Sequence, residues 1–178
     1  TAAMTKHVDD LKGTGDSATV QHILSELQKV FGDLKIEWYT FTNCGVRHIQ
    51  CKVTKEITLD QIQFANNLRV IAHAQLPGSK PEDLCCPELH QLYQSLLGAV
   101  AYLAHTRVDI VVFICALQRV THKPQIQHVR RLNKLLTWIQ RHPKKLLYKR
   151  FGKAPGGSHR AETRKPSSHL RVISDAAY

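Results

Sequence analysis

Acidic residues are scarce in this chain. Asp and Glu number 14 against 25 Lys and Arg, which leaves a formal net charge of +11 and a pI of about 9.7. That imbalance turns attention to a polyanionic partner, nucleic acid or an acidic membrane surface, with a chain that is merely basic as the plain alternative. Long apolar runs are missing too. None is long enough to span a bilayer, and nothing resembles a signal peptide, so no membrane partner is expected. The five cysteines (Cys44, Cys51, Cys85, Cys86, Cys115) are an odd set without a CxxC pair. Cys85 and Cys86 are adjacent, and neighbours rarely bridge each other. Reduced thiols in an intracellular protein, cytoplasmic or nuclear and not secreted, are the expectation. Cys85-Cys86-x3-His90 and Cys115-x6-His122-x5-His128 have no accepted zinc-ligand spacing, so no zinc is expected. Cys115, in an apolar run, reads as core packing. There is no internal repeat. The chain opens inside a patterned strand at Thr1 and stops at Ser174-Asp175-Ala176-Ala177-Tyr178 without closing an element, which reads as a piece of a longer chain.

An apolar share of 43% supports a real core, and the length suits one domain or one and a half. Asp16 or Ser17 caps a first helix, in which Val20, Ile23, Leu24, Leu27, Val30 and Phe31 recur at helical spacing and Gly32 is the stop. From Leu34 to Val53 the pattern changes to short strands. Ile36, Trp38 and Phe41 mark one run, Val46, Ile49, Cys51 and Val53 the next, and Asn43-Cys44-Gly45 the turn between. Ile57-Thr58-Leu59 reads as a third strand, followed by a helix from Asp60 to Ile71. Residues 73–86 read as a loop. Pro87 starts a long helix through Leu103, where Gly98-Ala99 leaves room for another backbone. Residues 108–120 are almost continuously apolar and predict a buried central helix. A third helix carries Ile126, Val129, Leu132, Leu135, Leu136 and Ile139 on one face and Arg130, Arg131, Lys134 and Arg141 on the other, and ends at Pro143. Leu146-Leu147-Tyr148 is a strand, 152–168 a basic Gly/Pro/Ser-rich linker, and Leu170 to Asp175 a last strand.

Beyond Arg119 the only acids are Glu162 and Asp175. A positive helical face running into a positive linker fits a phosphate backbone, and equally a solvated face that keeps the chain soluble. Trp138 and Tyr148, near Arg141, Lys144, Lys145 and Arg150, can stack on and grip nucleic acid, although Trp138 at helical spacing with Leu135 and Leu136 fits a core equally well. Arg107 and Asp109 read as a structural pair at a helix start.

Val8-Asp9-Asp10, between a short apolar-polar alternation and Leu11-Lys12-Gly13-Thr14-Gly15, reads as strand, carboxylate pair, strand. Gly13 and Gly15 can supply the positive φ of a tight hairpin. At such a bend both carboxylates can approach one divalent cation. Magnesium takes one or two carboxylates plus substrate phosphates, and two such ions about 4 Å apart carry nucleotidyl transfer. A solvated turn is the other reading of these residues.

Three landmarks in order resemble the C-terminal half of the reverse transcriptase of copia-type retrotransposons, running into RNase H. The first is Val8-Asp9-Asp10-Leu11 with Gly15-Asp16. The second is Tyr93-Gln94-Ser95-Leu96-Leu97-Gly98 through Ala104, then Thr106-Arg107-Val108-Asp109-Ile110, similar to the family's Tyr-Arg-Ser-Leu-Val-Gly and Thr-Arg-Pro-Asp-Ile. The third is Ser174-Asp175-Ala176, similar to the opening of RNase H. Cys44-Gly45-Val46 and Leu59-Asp60-Gln61 agree more weakly.

The resemblance implies an α+β fold. A partial palm (hairpin, helix, short antiparallel strands) over 1–58 precedes a thumb-like three-helix bundle over 59–142. A strand and basic linker over 143–168 then lead to the first strands of an RNase H-like domain over 169–178. It implies that Asp9, Asp10 and Asp175 are catalytic and metal-binding, with Mg²⁺ as cofactor. It also implies deoxynucleoside triphosphates and an RNA/DNA template-primer duplex as partners. Arg130, Arg131, Lys134, Arg141, Lys144 and Lys145 are the candidate nucleic-acid contacts. The isolated piece lacks full carboxylate sets and is expected to be inactive. Four positions depart from the family pattern: His7 for an aromatic, Lys12 for an apolar strand residue, Cys44 for Leu and Val108 for Pro. They leave a non-catalytic, basic nucleic-acid-binding remnant of a degenerate element as the rival reading.

Overall fold

A computed structural model describes residues 2–7 and 10–149. Its fold is mixed α+β, with two small antiparallel sheets and a set of helices sharing one core. The first sheet is a hairpin of β1 (Ala2–His7) and β2 (Asp10–Gly15), in register from Ala2 opposite Gly15 to His7 opposite Asp10. Residues 8 and 9, between the two strands, lie outside the described residues. Gly13 and Gly15 lie in β2, opposite Met4 and Ala2, so they are strand residues and do not supply the positive φ of a tight hairpin. Helix α1 (Ser17–Phe31) follows as predicted. Asp16 caps it by accepting the Thr19 N–H at 2.9 Å, and Gly32 ends it at φ 78°, a conformation that favours glycine. None of its residues is fully buried, and Val30 and Phe31 are exposed.

The second sheet has the order β3 (Thr40–Asn43), β4 (Val46–Gln50), β5 (Ile57–Asp60), β6 (Leu146–Tyr148), all antiparallel. Cys44 (φ 48°) and Gly45 (φ 69°) form the two-residue β3–β4 loop, the pattern of a turn that matches strand twist. The strands are shorter than predicted. Ile36 and Trp38 precede β3, and Cys51 and Val53 follow β4. Strand β6 closes the sheet on β5, bringing the segment after the helices back onto 57–60.

The core lies between α4 (Pro87–Tyr102), α5 (Val111–Gln118) and α6 (Ile126–Arg141), joined by α2 (Ile62–Asn67) and Ile71. Leu89, Tyr93, Leu96, Leu97 and Val100 of α4 meet Val129, Leu132, Leu136 and Ile139 of α6 in that core. Full burial of each such side chain contributes about 1.5–3 kcal/mol. Burial pushes the Tyr93 phenol up to about 12, with the neighbouring Cys85 as a second cause, and its O–H donates to the Leu117 carbonyl at 2.9 Å. Tyr102 O–H donates to the Cys44 carbonyl, and Gln61 joins the Tyr102 carbonyl (3.3 Å) to the Thr106 hydroxyl (2.9 Å), fixing the sheet to the helices.

Four expectations change here. The predicted Asp60–Ile71 helix is only α2, because Asp60 completes β5 and Asn133 takes the Ile71 backbone through both its N–H (2.9 Å) and its C=O (2.8 Å). Loop 73–86 contains the short helix α3 (Gln75–Gly78). No atom outside its own helix would meet a Cβ on Gly98, so no backbone approaches there. The run 108–120 is a surface helix preceded by a short 3-10 turn. Ile110, Ile114 and Leu117 are buried, whereas Val108, Val112 (68% exposed), Phe113 (54%) and Cys115 face outward, so Cys115 is not core. Among the described residues no helix is long and apolar enough to cross a membrane.

Candidate nucleic-acid interface

Helix α6 has a strict division of faces. Ile126, Val129, Leu132, Leu136 and Ile139 are buried, and Arg131, Lys134, Trp138 and Arg141 lie on the open side. Its start is a capping box with His in the N3 position. Gln125 caps the helix, and its N–H donates to His128 Nδ1 at 2.9 Å. Burial, and then the charge of Arg131, holds the His128 imidazole below its ordinary value. Only the neutral ring offers Nδ1 as an acceptor, so the two effects agree.

Beside α6 runs the chain that leaves α2. Asn133 holds Ile71, and Gln140 Nε2 donates to the carbonyls of Ala65 (2.9 Å) and Leu68 (3.0 Å). The result is a groove lined by Val70, Lys134, Trp138, Arg141 and His142, with Asn133 and Thr137 along it. None of these is an acid. Trp138 and His142 stack with ring centroids 4.9 Å apart and planes at 26°. His142 Nδ1 lies 2.8 Å from the Trp138 carbonyl, which only its N–H form satisfies.

Behind the groove sits the Thr106-Arg107-Val108-Asp109-Ile110 stretch. Arg107 is 4% exposed. Its Nε and Nη2 meet Asp109 at 2.9 and 3.1 Å, its Nη1 donates to the His142 carbonyl at 3.0 Å, and its guanidinium lies 5.4 Å from the Trp138 ring centre. Lys144 Nζ adds a 2.9 Å contact to Asp109. The Arg107 hydrogen bonds, with those of Lys144, hold the Asp109 carboxyl well below the usual range. The expected structural pair at this helix start is thus present, and it clasps the α4–α5 connection to the end of α6.

The six basic candidates divide into two groups. Arg130 turns back to the carbonyls of Leu76 (2.7 Å) and Ser79 (3.0 Å). Lys144 is held by Asp109. Lys145 lies 3.9 Å from Asp60, a carboxylate 2% exposed whose Oδ2 has no hydrogen-bond partner among the described residues. A buried carboxylate needs such a counter-charge. No ion pair among the described residues engages Arg131, Lys134 or Arg141. Those three are the cations that the fold presents.

Of the carboxylate candidates, Asp9 and Asp175 lie outside the described residues. Asp10 is exposed at the start of β2. Lys12 reaches His48 Nδ1 (3.4 Å) and the Phe41 ring (6.0 Å). Burial first, and then Lys12, keeps the His48 imidazole below its ordinary value. Among the described residues no three His, Cys, Asp or Glu side chains gather as a metal site. His73 Nε2 lies 3.9 Å from Cys86 Sγ and 3.6 Å from Glu88 and makes no such set.

The Trp138–His142 stack was missed in the sequence, although their one-turn spacing before Pro143 was its signal. The stitching by Asn133 and Gln140 has no local signal. No family model, curated protein or solved structure matches this chain.

Proposed function

We propose that this chain is part of an RNA-directed DNA polymerase of the copia-type retrotransposon class and contributes a grip on the template-primer duplex. The observation that carries the reading is the open face of α6, where Arg131, Lys134 and Arg141 stand without acidic partners beside an acid-free groove. The resemblance of the Tyr93–Ala104 and Thr106–Ile110 stretches supports it. The clasp made by the second stretch explains why a polymerase piece would carry those residue types. They hold the helix that bears the cations and do no chemistry themselves.

In the intact enzyme Asp9, Asp10 and Asp175 would be the carboxylates for Mg²⁺, which supplies charge neutralisation at the transferring phosphate. This chain's own part is to fix the duplex through its backbone, which needs cations on a rigid element. The rival reading, a non-catalytic nucleic-acid-binding remnant, uses the same face. The test is binding of an RNA–DNA hybrid duplex by the chain and by an Arg131→Ala/Lys134→Ala/Arg141→Ala variant. Binding that the variant loses supports the grip. Equal, negligible binding by both removes any nucleic-acid role. An in-frame upstream palm strand with a further Asp separates polymerase from remnant.

A further inference from the structure

We infer that the α6 groove takes unpaired nucleotides, with a base stacked on the Trp138–His142 ring pair and flanking phosphates on Lys134 and Arg141. The inference rests on the nucleic-acid reading of this face and adds a site for unpaired nucleotides to its grip on the duplex. Cations alone recognise any phosphate backbone, paired or not. An aromatic surface between cations does something else. It offers a π-face to a base, and a base has a free π-face only where it has left the duplex stack.

The geometry on α6 supplies this combination. Lys134, Trp138 and Arg141 are four and then three residues apart, so they share one helix face. With 1.5 Å of rise per residue the two cations stand about 10 Å apart along the axis, with the indole between them. Trp138 is 38% exposed, with His142 stacked beside it and the Arg107 and Lys144 cations 5.4 and 5.9 Å from its ring centre, so the part of the ring that reaches solvent is what a base can meet. The ring pair is also held in place. His142 is anchored by its contact to the Trp138 carbonyl and by Arg107 on its own carbonyl, so little rotamer freedom remains to be lost on binding. No acid lines the groove, and Asp109 behind it is engaged by Arg107 and Lys144, so its charge is already compensated.

The test uses the full chain with Trp38→Phe, so that Trp138 is the only indole reporting. Two fluorescein-labelled probes are titrated, a short oligothymidylate and an RNA–DNA hybrid duplex of equal length. Affinity is read by anisotropy and stacking by Trp138 emission. The expected result is quenching of Trp138 by the oligothymidylate. Trp138→Leu should then cost about tenfold or more in oligothymidylate affinity, with less change for the hybrid. Trp138→Phe keeps a ring and should retain most of the affinity, which guards against a Leu variant that folds poorly. If the oligothymidylate binds without quenching, or the Leu and Phe variants bind it as tightly as the parent, the single-strand assignment is overturned. In that case hybrid binding that depends on Lys134 and Arg141 would leave the wider nucleic-acid reading standing. Failure of both probes to bind overturns both.

Discussion

Replacing Arg107 by Ala should destabilise the fold more than any surface substitution on α6. The guanidinium makes two bonds to Asp109 and one to the His142 carbonyl while 4% exposed. Breaking a buried pair by removing one partner costs about 3–5 kcal/mol. Asp109 keeps Lys144 and its side chain is 29% exposed, so water compensates part of the loss. That places the cost at about 2–4 kcal/mol, or roughly 4–16 °C in Tm for a domain of this size. Arg107→Lys keeps the charge but not the fork and should recover less than half. The assay is thermal and urea unfolding followed by circular dichroism, with Asp109→Ala and the double variant completing a cycle. A Tm within about 2 °C of wild type for Arg107→Ala, or a coupling below about 0.5 kcal/mol with Asp109, would refute the clasp.

Acidification should weaken the start of α6. The folded His128 imidazole is held below its unfolded value, so its contribution is present above about pH 6.5 and lost as pH falls. Wild-type Tm should therefore drop between pH 7 and 5, and His128→Gln, which keeps a capping acceptor, should drop less; equal slopes would count against the cap. On α5, Val112→Lys and Phe113→Lys should change stability by no more than about 0.5 kcal/mol, whereas Ile114→Ala should cost about 2–5 kcal/mol. Urea midpoints decide this, and a large loss at Val112 would return α5 to the interior. Gly98→Ala, in open space within α4, should stabilise by about 0.5–1 kcal/mol, while Gly45→Ala, at φ 69°, should destabilise by about 1 kcal/mol. The same midpoints check both signs.

Helices α1, α4 and α6 were legible because their limits are local: Asp16 and Gly32, Pro87, and Pro143. Helix α5 misled for the opposite reason. A run apolar on every side has no face to read, and only packing shows that Ile114 and Leu117 are inward. The predicted helix to Ile71 failed because Asn133 and Gln140, far along the chain, take the backbone that would have continued it. The basic candidates were legible as a charged face. Separating Arg130, Lys144 and Lys145 from Arg131, Lys134 and Arg141 needed the tertiary partners Leu76, Asp109 and Asp60. Likewise, Leu146–Tyr148 was legible as a strand, but not its place beside β5.

The most direct test of the grip is the salt dependence of RNA–DNA hybrid binding, for wild type and for the Arg131→Ala/Lys134→Ala/Arg141→Ala variant. Each phosphate neutralised contributes about −0.9 to the slope of log K against log salt on duplex DNA, so three cations in contact should make the wild-type slope steeper by up to about 2.7. A variant that binds more weakly with a correspondingly shallower slope is the predicted result. Parallel slopes for the two proteins would contradict the account, because the open face of α6 would then touch no phosphate.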